Sequence, residues 1–155
     1  MTPDTRAFLD RAAAEAIKAS HPFPQMAAAE AALESDYGTS ELARDGLNLF
    51  GMKQHTHPIF QTLNLPTHEG TPGHPDWKEI SASFVRYPDW ASCFADRLAT
   101  LRRLAPVYPH YAAALAARTA EDYVTEVSRT WSTDQTRATH VIAIYQKYTQ
   151  QENES

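Results

Sequence analysis

Apolar side chains recur every three to four residues over most of this chain, and the breaks in that rhythm divide it into elements. Phe8, Ala12, Ala16 and Ala19 mark a first helix, opened by Thr2 as N-cap with Pro3 in the first turn and ending near Ser20. It reads as an outer packing helix. After Pro22 and Pro24 an alanine-rich second helix is expected over 24–35, stopped by Gly38. Residues 40–44 read as a helical turn, and 48–53 lead into an extended segment. From Asp89, a good N-cap, the pattern is helical again over 90–104, 109–117, 120–130 and 134–150. Thr119 with Asp122 resembles a capping box, and Thr133 or Asp134 is placed to cap the last helix. The polar residues 150–155 are expected to fray.

Between these helical stretches the rhythm changes. Over 77–87 the period drops to two, with Ile80, Ala82 and Phe84 on one side and Glu79, Ser81 and Ser83 on the other, which predicts a strand. Residues 55–77 hold four histidines, four prolines and two glycines without a period and read as a long, exposed loop. The expected fold class is mainly α (α+β), a helical domain with a small β-loop lobe inserted after the second helix. With 155 residues and 43% hydrophobic content the chain suits one domain, 1–155.

Composition then removes classes of function. A formal net charge of -5 offers no basic footprint, which excludes nucleic acid as a partner. No run approaches the roughly 18 apolar residues of a membrane span, and the first ten residues lack the apolar segment of a secretory signal. The single cysteine, Cys93, allows no internal disulfide. Its neighbours Trp90, Phe94 and Leu98 at helical spacing predict a buried, inert thiol. His55, His57, His68 and His74, with Glu69 and Asp76, fit no ligand spacing. No metal or other cofactor is expected; the histidine loop reads as one wall of a groove, gaining charge below about pH 6.5.

The candidate chemistry lies at the end of the second helix. Ala27, Ala31 and Glu34 are spaced i, i+4 and i+7 and share a face. Small side chains there let another element come close, read here as the β-loop lobe that carries Glu79, leaving Glu34 partly desolvated. Burial and the negative end of the helix dipole both favour the protonated form of a carboxylate, which is what a proton donor needs. The competing reading is a solvated glutamate of a last helical turn.

The residues that follow carry a family resemblance. Glu34 and Ser35, then Gly38, Thr39 and Ser40, Leu42 and Ala43, and Asn48, Leu49, Phe50 and Gly51 with Lys53 resemble the signature of the bacterial endo-β-N-acetylglucosaminidases of the lysozyme superfamily. Trp131, Ser132, Thr133, Asp134 and Gln135, followed by Val141 to Tyr145, resemble that family's Tyr-Ala-Thr-Asp-Pro motif and closing helix. Phe84 and Tyr87 before Asp89 fall where the family has a similar aromatic strand end. The resemblance covers residues 25–148.

The resemblance implies a lysozyme-like fold, with a helical lobe and a β-hairpin/loop lobe flanking a cleft. It also implies a monomer that cleaves peptidoglycan outside the cytoplasm, at the β-1,4 bond between N-acetylglucosamine and N-acetylmuramic acid. Export would go by a holin, a secretion system or a missing parent segment. Glu34 matches the catalytic acid, and Glu79 is the best match for the second carboxylate. Trp131, Asn48, Phe50 and Tyr87 are the implied substrate-binding residues, Asn48 being also a candidate amide partner for the turn after Glu34. A carboxylate separation of about 6.5 to 9.5 Å would fit inversion and about 5 Å a covalent route, while a substrate acetamido group could replace the second carboxylate. All three routes stay open in the sequence. Asp36 and Tyr37 stand where the family has Gly and Trp. Trp131 replaces a Tyr, keeping a stacking face but offering only an N–H donor. The alternatives are a muramidase of the same superfamily and a non-catalytic glycan-binding module.

Overall fold

Helix α1 (Pro3–Lys18) lies against α2 (Pro24–Ser35), and α2 is buried along most of its length. Met26, Ala27, Ala28, Ala29, Ala31 and Ala32 are all fully buried, so the alanines act as a smooth surface that lets neighbouring helices close in. The computed structural model describes residues 1–54 and 60–154. In chain order α2 is followed by α3 (Glu41–Gly46), the strands β1 (Gln61–Glu69) and β2 (Lys78–Arg86), then α4 (Trp90–Leu104), α5 (Pro109–Leu115), α6 (Ala120–Trp131) and α7 (Arg137–Glu154).

Two apolar clusters share α2. One side packs Ala28, Ala31 and Ala32 with Phe8, Leu9, Ala12, Leu49, Phe50, Trp90 and Phe94. The other sets Met26 and Ala29 against Leu101, Tyr111, Tyr123, Val124, Val127 and Val141. The face of Ala27 and Ala31 that was expected to meet a β-loop lobe meets helices instead, with α1 and α7 packed on α2.

The predicted helix starts hold where a side chain caps them. Thr2 accepts from the Thr5 amide, Asp89 from that of Ser92, and Thr119 from that of Asp122. The last helix differs at both ends. Asp134 accepts from the Thr136 amide at 2.8 Å and so closes a turn, and α7 begins only at Arg137. It continues to Glu154, through residues expected to fray, where Gln25 reaches across to Glu152 at 2.6 Å.

The larger correction is β1. Residues 61–69 form a strand antiparallel to β2, with Leu63 opposite Phe84, Leu65 opposite Ala82 and His68 opposite Glu79. Pro66 fits because each strand of a two-stranded sheet is an edge strand. His55 and His57 lie outside the described residues. His68 is on β1, its ring stacked on Trp77 at 4.8 Å, and His74 lies in the turn between the strands.

The hairpin is rooted on the helical body at one end. The Val85 amide donates to the Met52 carbonyl at 2.9 Å and the Tyr87 amide to that of Gly46 at 2.8 Å. Phe84 and Val85 are buried there, while Lys78 and Glu79 are exposed at the other end.

Candidate active site

Glu34 sits in the last turn of α2, just before three consecutive residues with left-handed backbone: Asp36 (φ 50), Tyr37 (φ 53) and Gly38 (φ 78). Ser35 fixes this turn. Its buried hydroxyl donates to the Ala31 carbonyl at 2.6 Å and accepts from the Gly38 amide at 2.8 Å. A Cβ on Gly38 would come within 3.0 Å of the Phe8 ring, so both space and φ call for glycine. Asp36 belongs to the turn, with its carbonyl and carboxylate both accepting from the Thr39 hydroxyl.

The Glu34 side chain is one-quarter exposed and meets a partner from the far end of the chain. Arg137 Nε donates to Glu34 Oε1 at 2.8 Å, and the arginine side chain is 2% exposed. Its other nitrogens are also engaged: Nη1 donates to Ser128 Oγ and Nη2 to Glu30 Oε2, each at 2.8 Å. The expected environment of a carboxyl met only by small residues and a helix end is therefore incomplete, because a guanidinium is packed against it.

Glu30, one turn earlier on α2, is the centre of this network and is fully buried. Arg97 grips it with two parallel bonds of 3.0 and 2.9 Å, and Tyr123 Oη donates to Oε1 at 3.1 Å. Burial alone would raise the carboxyl's pKa, but Arg97 and Arg137 outweigh it and hold Glu30 well below the usual carboxylate range. Burial likewise opposes the charge on Arg97, and Glu30 more than compensates, keeping that guanidinium charged. Glu30 carries one charge against two buried cations, and Glu34 is bonded to one of them, Arg137.

Arg97 also links the aromatic candidates. Its guanidinium carbon is 4.3 Å from the Trp131 ring centroid and 4.7 Å from that of Phe50. Phe50 is 3% exposed and packs edge-on against Phe94, which makes it core. Trp131, at the end of α6, is only half-buried and keeps open surface. Tyr87 is buried, donates its hydroxyl to Asp96, and meets Phe60 edge-on; burial, then the Asp96 acceptor, raises its pKa.

Asn48 is fully employed inside the protein. Its amide NH2 donates to the Met52 and Val85 carbonyls, each at 2.9 Å, and its Oδ1 accepts from the Phe50 and Met52 amides. Both donors and both acceptors are used, and all four bonds hold the 48–52 turn against β2. Glu79 is exposed on β2, six residues beyond Val85, which is about 20 Å of extended chain. It stands outside the Glu30–Glu34 network.

A groove of about 550 Å³ runs beside the loop after Trp131, lined by His110, Ser128, Arg129, Thr133, Asp134 and Gln135 among others. Ser128 joins the groove to Arg137. Cys93 is buried with its thiol pushed up to about 12 by desolvation, which makes it inert. Among the described residues no group of three His, Cys, Asp or Glu is placed to hold a metal ion, and no helix is long and apolar enough to cross a membrane.

Sequence reading missed Glu30, Arg97 and Arg137. The one local signal was Glu30 itself, a charge with alanines on both sides at i−4 from Glu34 in an otherwise apolar helix.

A family model described as "Glucosaminidase: Mannosyl-glycoprotein endo-beta-N-acetylglucosaminidase" matches residues 10–150. Among solved structures, the catalytic domain of the autolysin Auto from Listeria monocytogenes superposes with a TM-score of 0.80 at 24% identity, covering 96% of this chain and 86% of that one. The C-terminally truncated glycoside hydrolase domain of FlgJ from Salmonella typhimurium gives 0.72 at 27% identity, over 94% and 98% of the two chains. A peptidoglycan hydrolase mutant from Sphingomonas sp. A1 gives 0.72 at 21% identity, over 97% and 99%. No curated protein matches the chain.

Proposed function

Since the chain belongs to the mannosyl-glycoprotein endo-β-N-acetylglucosaminidase family and is a glycoside hydrolase, we propose that it cleaves the β-1,4 bond between N-acetylglucosamine and N-acetylmuramic acid in peptidoglycan, with Glu34 as general acid. Its site of action is then the cell wall, outside the cytoplasm.

The observation that carries this reading is the setting of Glu34. Of the two α2 glutamates, Glu30 is sealed and held toward its ionised form by Arg97 and Arg137, whereas Glu34 keeps a quarter of its side chain open at a fixed turn. Of the two, Glu34 is the one open to a glycosidic oxygen. It would protonate that oxygen as the bond to C1 breaks.

The anomeric carbon then needs a second group. Glu79 lies toward the outer end of the hairpin, and this favours assistance by the substrate: the 2-acetamido oxygen of the N-acetylglucosamine unit attacks its own C1 and water opens the resulting ring. The groove beside the Trp131 loop supports a polymer laid along α6, with the open surface of Trp131 offered to a sugar ring.

Clearing of a peptidoglycan suspension by the wild type and by Glu34→Gln tests the assignment. Clearing by the first and a rate lower by about a hundredfold or more for the second is expected. Equal rates would remove Glu34 from the mechanism, and no clearing by either would point to a glycan-binding module. Mass spectrometry of reduced products decides the bond: a reduced N-acetylmuramic acid end would make the enzyme a muramidase.

A further inference from the structure

We propose that Arg137 is a positioning residue for Glu34, aiming its carboxyl through Oε1 and stabilising the carboxylate left when its proton departs. The proposal rests on reading Glu34 as the general acid.

The argument is geometric. A guanidinium donates in a fixed planar fork, and here each nitrogen has its own partner: Nε on Glu34 and Nη2 on Glu30, one turn apart on α2, and Nη1 on Ser128 of α6. Glu30 is itself fixed by Arg97 of α4 and Tyr123 of α6. At 2% exposure the fork has no solvent to swing into, so the position of Glu34 Oε1 is referred to three helices besides its own. A last-turn glutamate on a helix end would otherwise sample several rotamers.

The chemistry follows from which oxygen is occupied. Arg137 holds Oε1 as an acceptor, so the proton to be delivered sits on Oε2. As the bond from C1 to the glycosidic oxygen breaks, that proton moves to the leaving oxygen and the electron pair of the O–H bond stays on the carboxylate. The charge appearing on Glu34 meets a cation already oriented and not fully cancelled by Glu30, a stabilisation that needs no rearrangement. Glu34 acts on two guanidinium groups, Arg137 on α7, which is bonded to it, and Arg97 on α4, and both of these also face Glu30 on α2.

The test uses steady-state kinetics and pH profiles of Arg137→Gln, Arg137→Lys and Glu34→Gln in the full chain on soluble glycan fragments, with thermal melts alongside. Arg137→Gln should lower kcat about 30-fold or more with KM within about twofold, and move the alkaline limb of the kcat/KM profile to higher pH. Arg137→Lys keeps the charge and the packing but not the fork. It should fold, leave the limb in place and lower kcat about tenfold. Loss of kcat with an unshifted limb in Arg137→Gln, or kcat unchanged in Arg137→Lys, would overturn the proposal. Should Arg137→Gln fail to fold, the Arg137→Lys result decides alone. If Glu34→Gln stays active the general-acid reading fails first; if it is inactive while both Arg137 variants keep wild-type kcat, only the positioning role fails.

Discussion

His21 Nε2 lies 3.2 Å from the Tyr123 hydroxyl, and the direction of that bond is set from the opposite side of the ring. Nδ1 accepts the Phe23 amide at 3.0 Å, so the proton belongs on Nε2. It points to Tyr123, which in turn donates to Glu30. A second proton on the ring would have to face the Phe23 N–H. Burial, opposed in part by Glu30, lowers the His21 pKa from 6.5 to about 4.

This makes stability pH-dependent in a defined window. The unfolded chain binds the His21 proton below about pH 6.5 and the folded one only below about 4, so unfolding takes up a proton in between and stability falls as pH falls. Unfolding in urea at pH 7, 5.5 and 4 should show a loss of about 3 kcal/mol across the window from this residue. His21→Gln should be less stable at pH 7 and flatter below it. Glu30, held low, adds its own loss only below about pH 4.5, so the interval from 6.5 to 5 isolates His21. Parallel slopes for the two proteins would refute the assignment.

A second prediction concerns the turn that presents Glu34. Asp36 holds φ 50 with a Cβ, and glycine adopts that region at less cost. Asp36→Gly should raise stability by about 0.5 kcal/mol and the melting temperature by about 1–2 °C, less whatever the Thr39 hydrogen bond contributes. Calorimetry checks it; a clear loss would mean that the Asp36 carboxylate, through Thr39, is holding the turn.

The helices were legible because their signals are local. Caps such as Asp89 and Thr119 sit within three residues of the amides they satisfy. Strand β1 was hidden by Pro66 and by a polar composition, although Leu63, Leu65 and Thr67 do alternate as half-buried positions. What could not be read was pairing over distance. Glu34 was found from its helix and motif, but Arg137 lies 103 residues away and Arg97 lies 67 from Glu30, and nothing within a helical turn of either arginine marks a partner. Asn48 shows the limit of a motif: its place in the family left both a turn and a sugar open, and its four hydrogen bonds hold the 48–52 turn.

Trp131 yields a third prediction. Arg97 lies 4.3 Å from its ring centroid, so one face of the indole is taken by the buried network and only the remaining surface is open to a ligand. Tyrosine at 131 would keep an aromatic surface on Arg97 and add the hydroxyl that the family resemblance places at this position. Trp131→Tyr should therefore raise kcat, by about three- to tenfold, with little change in melting temperature. A fall in kcat with raised KM would show that indole surface, rather than a hydroxyl, is what the substrate uses here.

The last prediction separates the routes to the anomeric carbon. Glu79 pairs across the sheet with His68, six residues out from the anchored Val85. If the substrate's acetamido oxygen does the attacking, Glu79 only shapes the local field. Glu79→Gln then lowers kcat less than about tenfold, and proton NMR of the first-formed reducing end shows the β anomer. A direct attack by water that Glu79 activates requires the hairpin to bring this carboxylate within about 6.5 to 9.5 Å of Glu34, and it inverts the centre. In that case the first product is the α anomer and Glu79→Gln is as damaged as Glu34→Gln. The paired measurement matters because a modest loss alone fits either a bystander or a weak base, whereas retention with a nearly intact Glu79→Gln leaves the substrate as the nucleophile.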